Sequence, residues 1–179
     1  MSSAHKKVLL RRLTGEVLPG YLTLSGFLQN GAVPLLDLAG RIILISLKDI
    51  KHISYVRDFN LNDTSNPERL TRRAFLARPR TEGLWLRMTF RTGDLLEGLA
   101  PTDITLLDDL IHDAGLFVTP PDTRSNTQRI FIPRATLSEV QLIAVITSPS
   151  RRKPLPADAL PSLQEDLFNN MAPPHSRPN

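Results

Sequence analysis

Apolar and polar residues alternate around Val8 and Leu10, and again over Leu86, Met88 and Phe90. Alternation of that period marks a strand with one buried face. Each run leads into the same kind of corner. Thr14-Gly15-Glu16-Val17-Leu18 and then Gly20 follow the first; Thr92-Gly93-Asp94-Leu95-Leu96 and then Gly98 follow the second. Thr-Gly-acid between two apolar runs is a hairpin signal. The later stretches match as well. Arg41-Ile42-Ile43-Leu44-Ile45 precedes Ile50, Ile53 and Val56, while Arg129-Ile130-Phe131-Ile132 precedes Leu137, Val140 and Ile143. A polar corner long enough for one helical turn separates the parts, Ser46 to Asp49 in one case and Pro133 to Thr136 in the other.

Two matched halves in the same order predict an internal duplication. The expected fold class is mainly β: two small barrels, residues 1–57 and 83–147, each of about five short strands closed on themselves. Closure would remove the sheet edges that so small a unit could not otherwise protect. Residues 58–82 read as an arginine-rich linker. The second half carries an insertion, Asp103 to Ala114, in which Ile104, Leu107 and Ile111 stand at helical spacing and Gly115 supplies the stop. One short helix is therefore expected there. Residues 148–179 form a proline-rich tail. Within it Ser162-Leu163-Gln164-Glu165 has the form of a capping box, and Leu163, Leu167, Phe168 and Met171 follow at helical spacing. A short amphipathic docking helix is expected over 162–171.

The hairpin around Thr-Gly-acid, the second glycine beyond it and the strand–turn–strand ending resemble the Sm-like and SH3-like small barrels, over Lys7 to Val56 and Gly83 to Ile146. The stretch Asn126 to Arg134 is similar to one found in uncharacterised bacterial domains of that shape. The resemblance implies tandem small barrels. The Sm family's RNA-binding asparagine and its Arg-Gly pair have no counterparts here, so the resemblance brings no function with it.

Composition narrows the picture. Aromatic residues are only 6% of the chain, so aliphatic side chains must fill the core. There is no cysteine, which excludes disulfides and thiolate metal sites and suits a reducing compartment. Lys6 and Lys7 are followed by only Val8 to Leu10 before Arg11 and Arg12, too short an apolar run for a signal peptide, and no stretch approaches the roughly 18 apolar residues of a membrane span. The expectation is a cytoplasmic protein with no membrane contact. Of 22 basic residues only five are lysines; arginine's planar fork suits phosphate and carboxylate partners.

Four groups of residues could carry chemistry. If Leu86, Met88 and Phe90 point inward, Trp85, Arg87, Thr89 and Arg91 point outward, and an indole beside guanidiniums can stack a base and neutralise phosphate. Packing of Trp85 beneath another segment is the plainer alternative. The linker holds Arg69, Arg72 and Arg73; the spacing of Arg69 and Arg73 is similar to the first motif of PilZ domains, which bind a cyclic dinucleotide, but the second PilZ motif is absent. Asp108 and His112, with Asp109 and Asp113 beside them, would lie one helical turn apart, yet two ligands do not make a metal site. No nucleophile elbow, phosphate loop or dinucleotide fingerprint is present. These features point to a non-enzymatic binding or adaptor module for a protein partner, without cofactor or metal. Nucleic-acid or nucleotide binding through Trp85, Arg87, Arg91, Arg69, Arg72 and Arg73 is the rival reading.

Overall fold

The computed structural model describes residues 5–23, 26–103, 106, 114–122 and 124–147. Ten strands follow in chain order: β1 Lys6–Arg12, β2 Val17–Leu22, β3 Ala32–Asp37, β4 Ile42–Ser46, β5 Ile50–Val56, β6 Gly83–Phe90, β7 Leu95–Ala100, β8 Gly115–Val118, β9 Thr127–Pro133 and β10 Leu137–Ile146. Single 3₁₀ turns, Leu47–Asp49 and Arg134–Thr136, lead into β5 and β10. All strand pairings are antiparallel.

The hairpins form where the Thr-Gly-acid corners stand. Gly15 and Gly93 take φ of +93° and +87°, a region that an L side chain rarely enters. The amide of Gly15 donates to Arg12 O at 3.0 Å and that of Gly93 to Phe90 O at 2.9 Å. Beyond each turn the second glycine serves a different purpose. A Cβ on Gly20 would stand 2.6 Å from Leu36 O, and one on Gly98 would stand 2.8 Å from Val118 Cβ. Both glycines let a strand pass closely over its neighbour.

Pairing registers recur along the chain. Leu10 faces Leu18 and Ile53, on β2 and β5; Met88 faces Leu96 and Val140, on β7 and β10. Pro34 faces Leu44 and Phe117 faces Phe131. Even the irregularity between Arg11 and Arg12 on β1 against β5 has its match between Leu137 and Glu139 on β10 against β6.

The strands do not close into two barrels, and the expected Sm-like or SH3-like architecture is corrected on this point. β5 does not return to β4. It pairs with β9, setting Ile53 opposite Phe131, Ser54 opposite Ile130 and Tyr55 opposite Arg129. The result is a seven-stranded sheet in the order β4-β3-β2-β1-β5-β9-β8 and a three-stranded sheet in the order β10-β6-β7. One bridge, Leu99 to Thr119, ties β7 to the residue after β8. The physical reason is that an interior edge can be satisfied either by closure or by a neighbour. Strand β5 is buried from Ile53 to Val56, and β9 covers its second edge. Alternation along a strand reports which face is buried, not which strand lies beside it. The described residues contain almost no helix. The expected 103–114 helix lies largely outside them, and the expected 162–171 helix with Leu163, Leu167, Phe168 and Met171 lies wholly outside them.

Residues up to Thr147 form one compact unit. Its largest apolar cluster joins Val8, Leu10, Val33, Leu35, Ile45 and Ile53 of the first five strands to Phe117 and Phe131 of β8 and β9. Phe131 meets Phe27 edge-on at 5.0 Å and Phe117 in a tilted contact at 5.1 Å. A second cluster packs Leu86, Met88 and Phe90 against Val118, Ile130 and Ile132. Ile130 and Phe131, adjacent on β9, thus point into different cores, as the pleat requires.

Candidate functional site

The arginine-rich segment after β5 is a strap held to the sheets by two buried carboxylates. It starts at Asp58, whose Oδ1 lies 3.2 Å from Lys7 Nζ. Phe59 follows, buried with Leu9 and Val56 and meeting Tyr21 edge-on. The turn before β9 grips this stretch: Asn126 Nδ2 donates to Asp58 O at 2.7 Å and to Pro67 O at 3.2 Å.

Glu68 is the first anchor. Only 3% of it is exposed, and it accepts both arms of the Arg11 fork, from Nε and Nη2, at 2.7 Å each. His52 Nε2 lies 3.4 Å from the same carboxylate. Burial pushes the Glu68 carboxyl up, but its bonds with His52 and Arg11 outweigh that and hold it down at about 2. Burial lowers the His52 imidazole, and Glu68 offsets this only in part. A neutral His52 with its proton on Nε2 fits both observations, and leaves its buried Nδ1 without a partner.

Glu97 on β7 is the second anchor, 4% exposed. Its carboxylate accepts from the Phe75 amide at 3.0 Å, Trp85 Nε1 at 3.1 Å, and Arg87 Nε and Nη2 at 3.1 and 2.8 Å. Its own amide donates to Arg73 O at 2.7 Å. Burial works to raise this carboxyl too, and these donors keep it below the ordinary range. The Phe75 ring stands edge-on to Trp85 at 5.7 Å.

Beside the first anchor is a cavity of about 290 Å³, lined by Arg11, Lys51, His52, Glu68, Arg73 and Asp94 among others. Its cations have partners. Arg11 is held by Glu68; Lys51 and Arg73 both meet Asp94, the latter at 3.2 Å. The Lys51 ammonium and the Thr92 hydroxyl hold the Asp94 carboxyl down at about 2. Three cations thus share two carboxylates, with Asp94 serving both Lys51 and Arg73. No group of three or more His, Cys, Asp or Glu residues suited to a metal exists among the described residues. Asp108, Asp109, His112 and Asp113 lie outside them.

Of the predicted arginine–tryptophan face, Trp85 and Arg87 come together on Glu97. Arg73 joins them through its carbonyl while its side chain turns to Asp94. Arg91 sits at the end of β6, with Nε 3.5 Å from Leu137 O. Arg69 lines a separate hollow with Asp58 to Asp63, and Arg72 lies in the field of Asp122. The six residues are spread along the strap and β6.

The most exposed apolar surface of the strands lies elsewhere. β4 ends the seven-stranded sheet, and its Ile42 and Leu44 are 69% and 70% exposed, with Ile43 also open. β10 ends the three-stranded sheet and exposes Val140, Leu142 and Val145. The sequence places Ile42 to Leu44 and Val140 in strands without marking either strand as the end of a sheet. The available signal was the unbroken run Ile42-Ile43-Leu44-Ile45, more apolar than a strand with one buried face requires.

A mostly β-sheet domain with a strapped face and two apolar edges is the class these features define. The chain belongs to the Family of unknown function (DUF6982), which it matches over residues 4–144. This membership replaces the Sm-like and SH3-like resemblance. Searches of curated proteins and of solved structures returned no match. Among the described residues no helix is long and apolar enough to cross a membrane.

Proposed function

We propose that this protein is a non-enzymatic binding or adaptor module that takes protein partners by strand addition at β4 and β10. The observation that carries the reading is the exposure of Ile42 and Leu44 on a strand that ends its sheet. A terminal strand offers a row of unpaired amides and carbonyls, and apolar side chains beside that row add burial to the hydrogen bonds a partner strand would make. Edge strands normally carry charge or proline to repel such pairing; Ile42-Ile43-Leu44 carries neither. The pairing of Arg11, Lys51, Arg73 and Arg87 with buried or half-buried carboxylates also favours a protein partner over a polyphosphate one, since a phosphate would compete with those carboxylates for each cation. A cytoplasmic setting belongs to the same proposal and rests on the cysteine-free composition.

A photo-crosslinking amino acid placed at Leu44 or Leu142, in the full chain and inside the producing cell, tests it. Covalent protein adducts are expected at both positions and not at Leu76, an equally apolar and exposed residue of the strap. Adducts at Leu76 alone, or at none of the three, would contradict strand addition.

A further inference from the structure

The junction between β5 and β9 is a template for what β10 and β4 can do. Registers make the correspondence explicit. Leu10 faces Ile53 where Met88 faces Val140, so Val140 holds on β10 the place that Ile53 holds on β5. Val8 faces Tyr55 where Leu86 faces Leu142, so Leu142 stands for Tyr55. Pro34 faces Leu44 where Phe117 faces Phe131, so Leu44 holds on β4 the place of Phe131 on β9. One 3₁₀ turn follows each of these two strands.

Within the chain, the β5 edge facing away from β1 is filled by β9. The equivalent edge of β10 faces away from β6 and ends its sheet, and the β4 edge equivalent to that of β9 ends the other. We infer that these two edges are partners for each other between molecules: β10 of one copy pairs antiparallel with β4 of a second copy, repeating the β5–β9 junction. The inference rests on the strand-addition reading and names its partner.

Exposure agrees with the transposed register. Ile53 faces Phe131 and Tyr55 faces Arg129 inside the chain. Carried over, Val140 faces Leu44 of the second copy and Leu142 faces its Ile42. These four side chains are 44%, 70%, 54% and 69% exposed, whereas Ile53 and Phe131, which already have their strand partners, are 0% and 2% exposed. Ile53, Tyr55 and Phe131 are buried and Arg129 half-buried where the neighbour is present, while their counterparts are open where it is absent. Because the two surfaces differ, the contact is head-to-tail, and successive copies give a ring if the rotation closes and a filament if it does not.

The chain has no cysteine, which makes the register directly testable. Full-length Leu44→Cys is mixed with full-length Val140→Cys under mild oxidation; using single variants of separate molecules excludes closure within one chain. A disulfide-linked species of twice 20.0 kDa is expected, and likewise for Ile42→Cys with Leu142→Cys. The displaced combination Leu44→Cys with Val145→Cys should give at least about fivefold less, since disulfides tolerate little misplacement of Cβ atoms. Sedimentation of the unmodified protein should show mass rising with concentration, and Leu44→Lys with Val140→Lys should hold it at 20.0 kDa. An unmodified chain that stays monomeric, or crosslinks that ignore register, would overturn the inference. In that event, crosslinking of another protein at Leu44 would leave strand addition standing, while the lack of any adduct would remove both.

Discussion

Ile53 on β5 lies directly opposite Phe131 on β9, and this pair sits where the first five strands meet the last. Phe131 also contacts Phe27 and Phe117, so one side chain closes the sheet junction and fills the larger core. Phe131→Ala should lower unfolding stability by about 3–4 kcal/mol, as a buried aromatic truncation does. A denaturant titration measures it. A cost below about 1 kcal/mol, the size of a tolerated swap, would mean that the junction contributes little.

The strap ties stability to acid pH. The Glu68 carboxyl sits at about 2 in the folded protein against 4.5 ordinarily. Its contribution is therefore fully present above about pH 4.5 and is lost as pH falls toward about 2, because the unfolded chain takes up the proton first. His52, also depressed, adds a loss of the same sign that begins below its ordinary 6.5. Glu68→Gln should cost about 1–3 kcal/mol near neutral pH by leaving Arg11 and His52 poorly matched. It should also flatten the fall between pH 4.5 and 2 relative to the unmodified protein. Parallel acid-limb curves would show that Glu68 does not carry this dependence.

Trp85 offers a test of the rival nucleic-acid reading. Its Nε1–H donates to Glu97 and its ring meets Phe75, so its fluorescence should not change when single-stranded RNA or a cyclic dinucleotide is added at low salt. Quenching that disappears as salt rises would signal phosphate binding with counterion release and would favour the arginine–tryptophan face.

Gly98→Ala should destabilise by about 1–3 kcal/mol, because its Cβ would overlap Val118 and such overpacking is costly. Gly20→Ala, against Leu35 and Leu36, should behave alike. Thermal melts of both variants give the comparison. A neutral outcome at either position would show that the strand crossing there has room for a methyl group.

Much of this was legible in the residues, and the limits have physical causes. Thr14-Gly15-Glu16 and Thr92-Gly93-Asp94 announce their turns because local backbone geometry demands glycine there. Met88 and Phe90 announce a buried face because alternation and the pleat share a period. Pairing partners are another matter. Nothing local in Ile50 to Val56 distinguishes closure onto β4 from pairing with β9, since both satisfy the same amides. The anchors were hidden for a related reason: Glu68 and Glu97 read as ordinary polar positions, and only the fold brings Arg11, His52, Trp85 and Arg87 to them. Ile42 and Leu44 stand in a short apolar strand that carries no sign of ending a sheet. An apolar run reads as core unless the strand beside it is known to be missing.

Amide hydrogen exchange on the full chain, at rising concentration and with any partner that photo-crosslinking identifies, tests edge recognition most directly. Protection should grow over Ile42–Ser46 and Val140–Ile146 as complexes form, and stay constant from Arg72 to Trp85. Growing protection around Phe75 and Trp85, with both terminal strands exchanging as freely as before, would contradict it.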